Sequence, residues 1–146
     1  HSGRLVLVAS GTGFAPMWSV AVAAIMERPQ REIVFVVSAR RLQSLYMHGA
    51  LCRLALFPNV TIILTTSEPQ RVSPAIRIGR PTDHLPELSP NDLIYAAGAP
   101  AMTDSVARMA RIAGARCHAD PFVPNASTFE PAGARRSAQK AAQAGW

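Results

Sequence analysis

Two short apolar runs in this chain each stop at a glycine loop, and each loop leads within a few residues to a proline and a helix-like stretch. The first run, residues 4–9, is followed by Ser10, Gly11, Thr12, Gly13 and Pro16; the second, residues 92–97, is followed by Gly98, Ala99 and Pro100. Leucine and β-branched residues ahead of a glycine stop form buried strands. Proline suits a first helical turn, where its missing N–H costs nothing. Two further apolar runs, Ile33–Val37 and Val60–Thr65, lie between them. Continuous rather than alternating apolar strands belong to a sheet covered on both faces. Strand–helix alternation of this kind predicts an α/β fold with a doubly wound parallel sheet. The expected sheet has five strands in the order 3-2-1-4-5, near residues 4–9, 33–38, 60–65, 93–97 and 116–119. Helices are expected over 15–28 and 42–57 and from Pro100 to a stop at Gly114. The first of these is apolar nearly all round, which predicts packing on both sides.

Residues 66–92 break this rhythm with Pro69, Pro74, Pro81, Pro86 and Pro90. They read as a long loop with at most a short helix over Thr82–Leu88. A loop of that length in a small domain carries function or covers something. From Asn125 onward the chain is rich in Ala, Gly, Ser, Gln and Arg, the composition of a mobile tail. The expected organisation is therefore one domain over 1–124 and a flexible tail over 125–146.

Length and composition support one packed domain. The 146 residues suit a single core, and a 49% hydrophobic share beside 16% charged argues against disorder. The net charge of +6 suits phosphates of a dinucleotide or an acidic redox partner. The arginines are scattered and no aromatic-rich basic face appears, so nucleic acid is not the expected ligand. No apolar run reaches membrane-spanning length. Cys52 and Cys117 are far apart and no CxxC occurs, so neither zinc nor an iron–sulfur cluster is expected. Two reduced thiols suit the cytoplasm. The histidines stand at unrelated spacings and suggest no metal site.

The two glycine loops carry the chemistry. A loop that ends a parallel strand and opens a helix offers backbone N–H groups to a pyrophosphate, and glycine lets the backbone approach. In the first loop Pro16 stands where the third glycine of GxGxxG would fall, so the loop is not the ordinary dinucleotide fingerprint. Two such loops on either side of a switch point would form a crevice.

Gly11-Thr12-Gly13-Phe14-Ala15-Pro16 after the first strand, Ser38-Ala39-Arg40 after the second, and Gly98-Ala99-Pro100-Ala101-Met102 after the fourth resemble the ferredoxin–NADP+ reductase superfamily. The match is to its NAD(P)-binding domain, as found in flavin-dependent reductase components of oxygenases, and it spans about residues 4–124. The resemblance implies that Gly11, Thr12 and Gly13 lie under the nicotinamide and pyrophosphate, with Ala15 and Pro16 shaping the helix start. It places Ser38, Arg40 and Arg41 beside the adenosine ribose, and Gly98, Ala99, Pro100 and Met102 over the nicotinamide side. Ala97 stands where the family often has a cysteine beside the hydride-transfer centre. Phe122 matches the aromatic that often packs near the flavin; a core plug under the sheet edge is the other reading. Thr12, Ala97 and Phe122 are thus the candidates closest to the reaction.

The loop after the second strand offers Arg40 and Arg41 and no acid, which favours a 2′-phosphate and NADPH. The oxygenase reductases that the sequence resembles mostly use NADH, and both cofactors stay open. The family carries FAD or FMN on a β-barrel domain with an Arg-x-Tyr-Ser/Thr type motif, which this chain lacks. The expected function is NAD(P)H binding and hydride delivery to a flavin on a separate barrel domain, with a ferredoxin or oxygenase component as acceptor. A non-catalytic nucleotide-sensing module is the alternative.

Overall fold

The computed structural model describes residues 3–39, 48–67 and 76–122. Its centre is a parallel sheet of six strands: β1 (Leu5–Ser10), β2 (Ile33–Ala39), β3 (Val60–Thr66), β4 (Ile76–Ile78), β5 (Leu93–Gly98) and β6 (Arg116–Pro121). Their order is β4-β3-β2-β1-β5-β6. The five expected strands take the expected order, since β3-β2-β1-β5-β6 is 3-2-1-4-5 in the numbering of the sequence reading. The count is corrected from five to six. Strand β4 pairs in parallel with β3 from Leu64↔Ile76 to Thr66↔Ile78. It escapes sequence reasoning because three residues with an arginine in the middle make no apolar run. Backbone pairing with an open sheet edge is enough to form it.

Helices α1 (Phe14–Glu27), α2 (His48–Leu54) and α3 (Pro100–Ala113) flank the sheet. Pro100 opens α3, and Gly114 closes it at φ 72° with its N–H on the carbonyls of Ala110 and Arg111. Pro16 is the third residue of α1 rather than its first, still within the turn whose N–H groups have no intrahelical acceptor. The expected second helix also included residues 42–47, which lie outside the described residues, as do Pro69, Pro74 and the tail over 125–146.

Side chains alternate across the strands and build two cores. Leu5, Leu7, Ala9, Ile33, Phe35, Val37 and Ala97 face α1 and α2. Val6, Val8, Val34, Val36, Ile63, Ile94 and Ala96 face Val106 and Ala110 of α3. Helix α1 buries Phe14, Met17, Ala21 and Ala24 on one face, whereas Met26 is 79% exposed. The expectation that it packs on both sides is thereby overturned: its small alanines tolerate water, and only one stripe meets the sheet. Among the described residues of the proline-rich stretch, the expected short helix over Thr82–Leu88 takes the form of a 3-10 turn, Pro81–His84. Leu85 and Leu88 beyond it pack on the second core, so this segment covers part of the sheet that α3 leaves open.

The amino ends of β1 and β5 are tied by charge. Arg4 Nε donates to Asp92 Oδ1 at 3.2 Å and Nη2 donates to Asp92 Oδ2 at 2.7 Å. The Ser89 N–H also donates to Asp92 Oδ2, at 2.8 Å. The Asp92 side chain is 3% exposed, so these partners replace its water. Asp92→Ala leaves half-buried Arg4 without its carboxylate, with the Glu87 carbonyl at 2.8 Å as its remaining acceptor, and is expected to cost about 3 kcal/mol. Urea denaturation checks it: the midpoint falls with an unchanged slope. A loss below about 1 kcal/mol would mean the pair behaves as a surface ion pair.

Candidate nucleotide site

The carboxyl ends of β1 and β5 are neighbours, paired up to Ala9↔Ala97. Both glycine loops therefore meet at one place. After β1 the chain makes a 3-10 turn, Gly11–Gly13, and runs straight into α1. Phe14 donates its N–H to the Gly11 carbonyl and buries its ring against Phe35 at 5.7 Å and Trp18 at 6.2 Å. Phe14 is thus the plug that anchors the loop, while Gly11 and Thr12 stay exposed.

The glycines serve different ends. Gly11 has φ +55°, and a Cβ there would meet nothing within 4 Å. It combines a left-handed turn with open space in front of the loop, the geometry for close approach of a ligand. Gly13 has an ordinary φ of −65°. A Cβ on it would strike the Ala97 carbonyl and lie 2.8 Å from the Gly98 nitrogen. Gly13 is therefore dictated by contact with the β5 backbone. Gly98 has φ +137°, and a Cβ on it would run into Ser10, 3.0 Å from its nitrogen and closer still to its hydroxyl.

Ser10, the last residue of β1, accepts the Ala99 N–H on its Oγ at 3.0 Å. Phe122 donates its N–H to the Gly98 carbonyl at 2.8 Å. The Gly98–Ala99 link is held from both sides, and half-buried Phe122 is brought to the same edge. Ala99 and Pro100 are exposed at the start of α3. Ala97 is fully buried in the first core, and Met102 packs on the second. Ala15 is exposed and Pro16 half-buried on the first turn of α1. Ser38 lies on the same edge and is half-buried. Arg40 and Arg41 lie outside the described residues.

Register extends the edge. Ser10 pairs with Ser38, Ser38 with Thr65, and Thr65 with Arg77. Parallel partners share a face, so these residues form a polar row above the second core. Thr65 is fully buried and its Oγ1 has no hydrogen-bond partner among the described residues, while Arg77 is exposed. Sequence reasoning missed Ser10, Thr65 and Arg77. Strand parity could have grouped Ser10 and Thr65 with Ser38, since each closes or nearly closes an expected strand on one face; Arg77 joins them only through β4, which leaves no apolar run.

Among the described residues no three His, Cys, Asp or Glu side chains cluster as metal ligands would. Burial pushes the Cys117 thiol up and keeps it protonated, hence a poor nucleophile. The Arg80 backbone N–H holds the Asp83 carboxyl below its usual range on the exposed 3-10 turn, donating to Asp83 Oδ2 at 2.9 Å. A cleft of about 450 Å³ lined by Arg4, Glu32, Glu87 and Asp92 opens at the amino ends of the strands, away from both loops. No helix among the described residues is long and apolar enough to cross a membrane.

A parallel sheet with paired helix-opening loops at one switch point is the architecture in which doubly wound domains bind nucleotides. Residues 7–108 match the oxidoreductase NAD-binding domain family, and the chain belongs to that family. It is 33% identical to the ferredoxin–NAD(P)(+) reductase component of naphthalene 1,2-dioxygenase/salicylate 5-hydroxylase systems from a Ralstonia species, over 86% of this chain and 40% of that one. It is 30% identical to an aromatic O-demethylase reductase subunit from Amycolatopsis, over 84% of this chain and 38% of the relative. The crystal structure of an Amycolatopsis cytochrome P450 reductase superposes with a TM-score of 0.72 at 28% identity, over 84% and 38% of the two chains. The resemblance to the ferredoxin–NADP+ reductase superfamily holds. The chain spans about 40% of the length of the curated relatives it matches.

Proposed function

We propose that the chain binds NADH or NADPH along the carboxyl edge of its sheet and holds the nicotinamide for hydride transfer to a flavin. The observation that carries this reading is the direct contact between the two glycine loops, with Gly11 open in front of them. Thr12 and the backbone of Gly11 and Gly13 cradle the nicotinamide and pyrophosphate, aided by the start of α1 at Ala15 and Pro16. The Gly98–Pro100 loop, seated on Ala97 and Met102, closes the other wall. Ser38, Arg40 and Arg41 serve the adenosine ribose. When bound, the nicotinamide supplies the hydride; the protein supplies position and a dry, polar setting. Phe122 flanks the place where the flavin ring would stack.

The flavin, FAD or FMN, belongs on a β-barrel domain of the parent protein, and a ferredoxin or oxygenase component takes the electrons. The two relatives named as reductases of oxygenase or demethylase systems support this assignment. The cytoplasm suits Cys52 and Cys117, which are both thiols. Prepared alone, the 146-residue chain is expected to be colourless and to bind nicotinamide nucleotide in a calorimetric titration. A yellow preparation with stoichiometric flavin would overturn the assignment of flavin to another domain.

The arginines set the choice of nucleotide. Arg40→Ala is expected to weaken NADPH more than NADH, by about 1.5–3 kcal/mol for a charge-assisted hydrogen bond to the 2′-phosphate. The row from Ser10 to Arg77 spans three strand spacings, roughly 14 Å, the scale of a dinucleotide's reach from nicotinamide to adenosine. Titrating Arg77→Ala beside Arg40→Ala tells which cation reads the phosphate. Equal losses for the two nucleotides would remove that arginine from the specificity pocket.

A further inference from the structure

We infer that Ser10 is a positioning residue for the nucleotide: its hydroxyl fixes the Gly98–Ala99 wall of the crevice against the Gly11–Gly13 wall. The inference rests on the nucleotide site proposed above and assigns within it a role that the glycine loops alone do not reveal.

Four observations converge on this side chain. Ser10 Oγ accepts the Ala99 N–H at 3.0 Å, joining residues 89 apart in sequence. Ser10 has extended backbone, φ −131° and ψ 140°, so it still belongs to the rigid strand and not to the turn. A Cβ on Gly98 would meet the hydroxyl, the carbonyl and the nitrogen of Ser10. The bare Gly98 backbone thus lies directly against Ser10, with the hydroxyl as its nearest neighbour. Finally, the Gly98 carbonyl accepts the Phe122 N–H at 2.8 Å, so whatever fixes Gly98 also fixes the approach of Phe122.

The consequence is preorganisation. Ala99 is the residue before Pro100, and its carbonyl accepts the N–H groups of Met102 and Thr103 at 3.0 Å each. Ala99 therefore sets the start of α3. A hydrogen bond from its N–H to a rigid strand locks the direction of that helix end and of the wall in front of it. Without the hydroxyl, the Ala99 N–H loses its tie to β1; the Phe122 bond to Gly98 and the α3 bonds to the Ala99 carbonyl remain, and a bound nucleotide must order that side of the wall itself. That ordering subtracts from its affinity. A serine hydroxyl accepting one bond still has its own proton to give, so the same group can also donate to an oxygen of the ligand.

The test uses the 146-residue chain, titrated with NADH and with NADPH by nicotinamide fluorescence. Ser10→Ala is expected to raise the Kd for both nucleotides about 3- to 10-fold, the worth of one ordinary hydrogen bond. Both should suffer alike, because Ser10 stands at the half of the site that the two share. Amide hydrogen exchange at Ala99 should speed up in the same variant. The melting temperature should fall by no more than about 4 °C, since Ala99 is exposed and water can replace the hydroxyl. Ser10→Thr keeps the oxygen on a residue that favours extended backbone and should restore the wild-type Kd. An unchanged Kd in folded Ser10→Ala overturns the inference while leaving the nucleotide site standing. An unfolded Ser10→Ala chain overturns it too, by showing that Ser10 holds the fold rather than the loop. A wild-type chain that binds neither nucleotide overturns the proposed site, and the inference with it.

Discussion

Gly13→Val is expected to destabilise the domain by at least about 3 kcal/mol, and to abolish nucleotide binding as a consequence of lost structure rather than a blocked pocket. A Cβ at position 13 falls on backbone atoms of Ala97 and Gly98, in a strand hydrogen-bonded on both sides. Backbone in the middle of a sheet cannot step aside as a flexible side chain can. The backbone angle at Gly13 plays no part, since φ −65° suits any residue. Had Gly13 served close approach of a ligand, as glycine in such a loop suggests, the variant would instead fold and fail to bind. Thermal and urea denaturation decide the matter. A wild-type midpoint with lost binding would mean that β1 and β5 can separate at their carboxyl ends.

Gly11→Val should behave in the reverse way. Position 11 has φ +55°, where a side chain costs about 1–2 kcal/mol of backbone strain. Nothing within 4 Å opposes the side chain itself, so the fold should survive. The branched side chain would instead stand in front of the loop, where the pyrophosphate must approach. Losing one or two charge-assisted hydrogen bonds there lowers affinity for both nucleotides about 10- to 100-fold. Calorimetric titration at a temperature well below the melting transition separates this from instability. Undiminished affinity in folded Gly11→Val would move the ligand away from this loop. The two glycines stand two residues apart, and their contrast is the sharpest check on the proposed site.

Some of this was legible in the linear sequence, and the reason is locality. An apolar run, a glycine and a proline within twelve residues encode a strand, a turn and a helix start by backbone preference alone. Repeating that unit constrains strand order, because right-handed crossovers leave few ways to stack parallel strands. The family resemblance also sits in three such local segments, beginning at Gly11, Ser38 and Gly98. Gly114 as a helix stop is local too, and it takes the left-handed conformation expected of it.

What the tertiary structure alone decided involves partners distant in sequence. Strand β4 exists because β3 offers an open edge, not because Ile76, Arg77 and Ile78 favour a strand. The proline-rich stretch covers the second core through Leu85 and Leu88, a role set by the space that α3 leaves over the sheet. Ala97 and Met102 lie in motif positions, yet their side chains turn into the two cores. Gly13 is a glycine because Ala97 is behind it, and Gly98 is one because Ser10 is beside it. The apolar pattern therefore specified five of the six strands and the two helix-opening glycine loops. Which atoms of those loops touch was decided only when β1 and β5, 88 residues apart in register, closed side by side, because contact between backbones depends on tertiary register and leaves no periodic trace in composition.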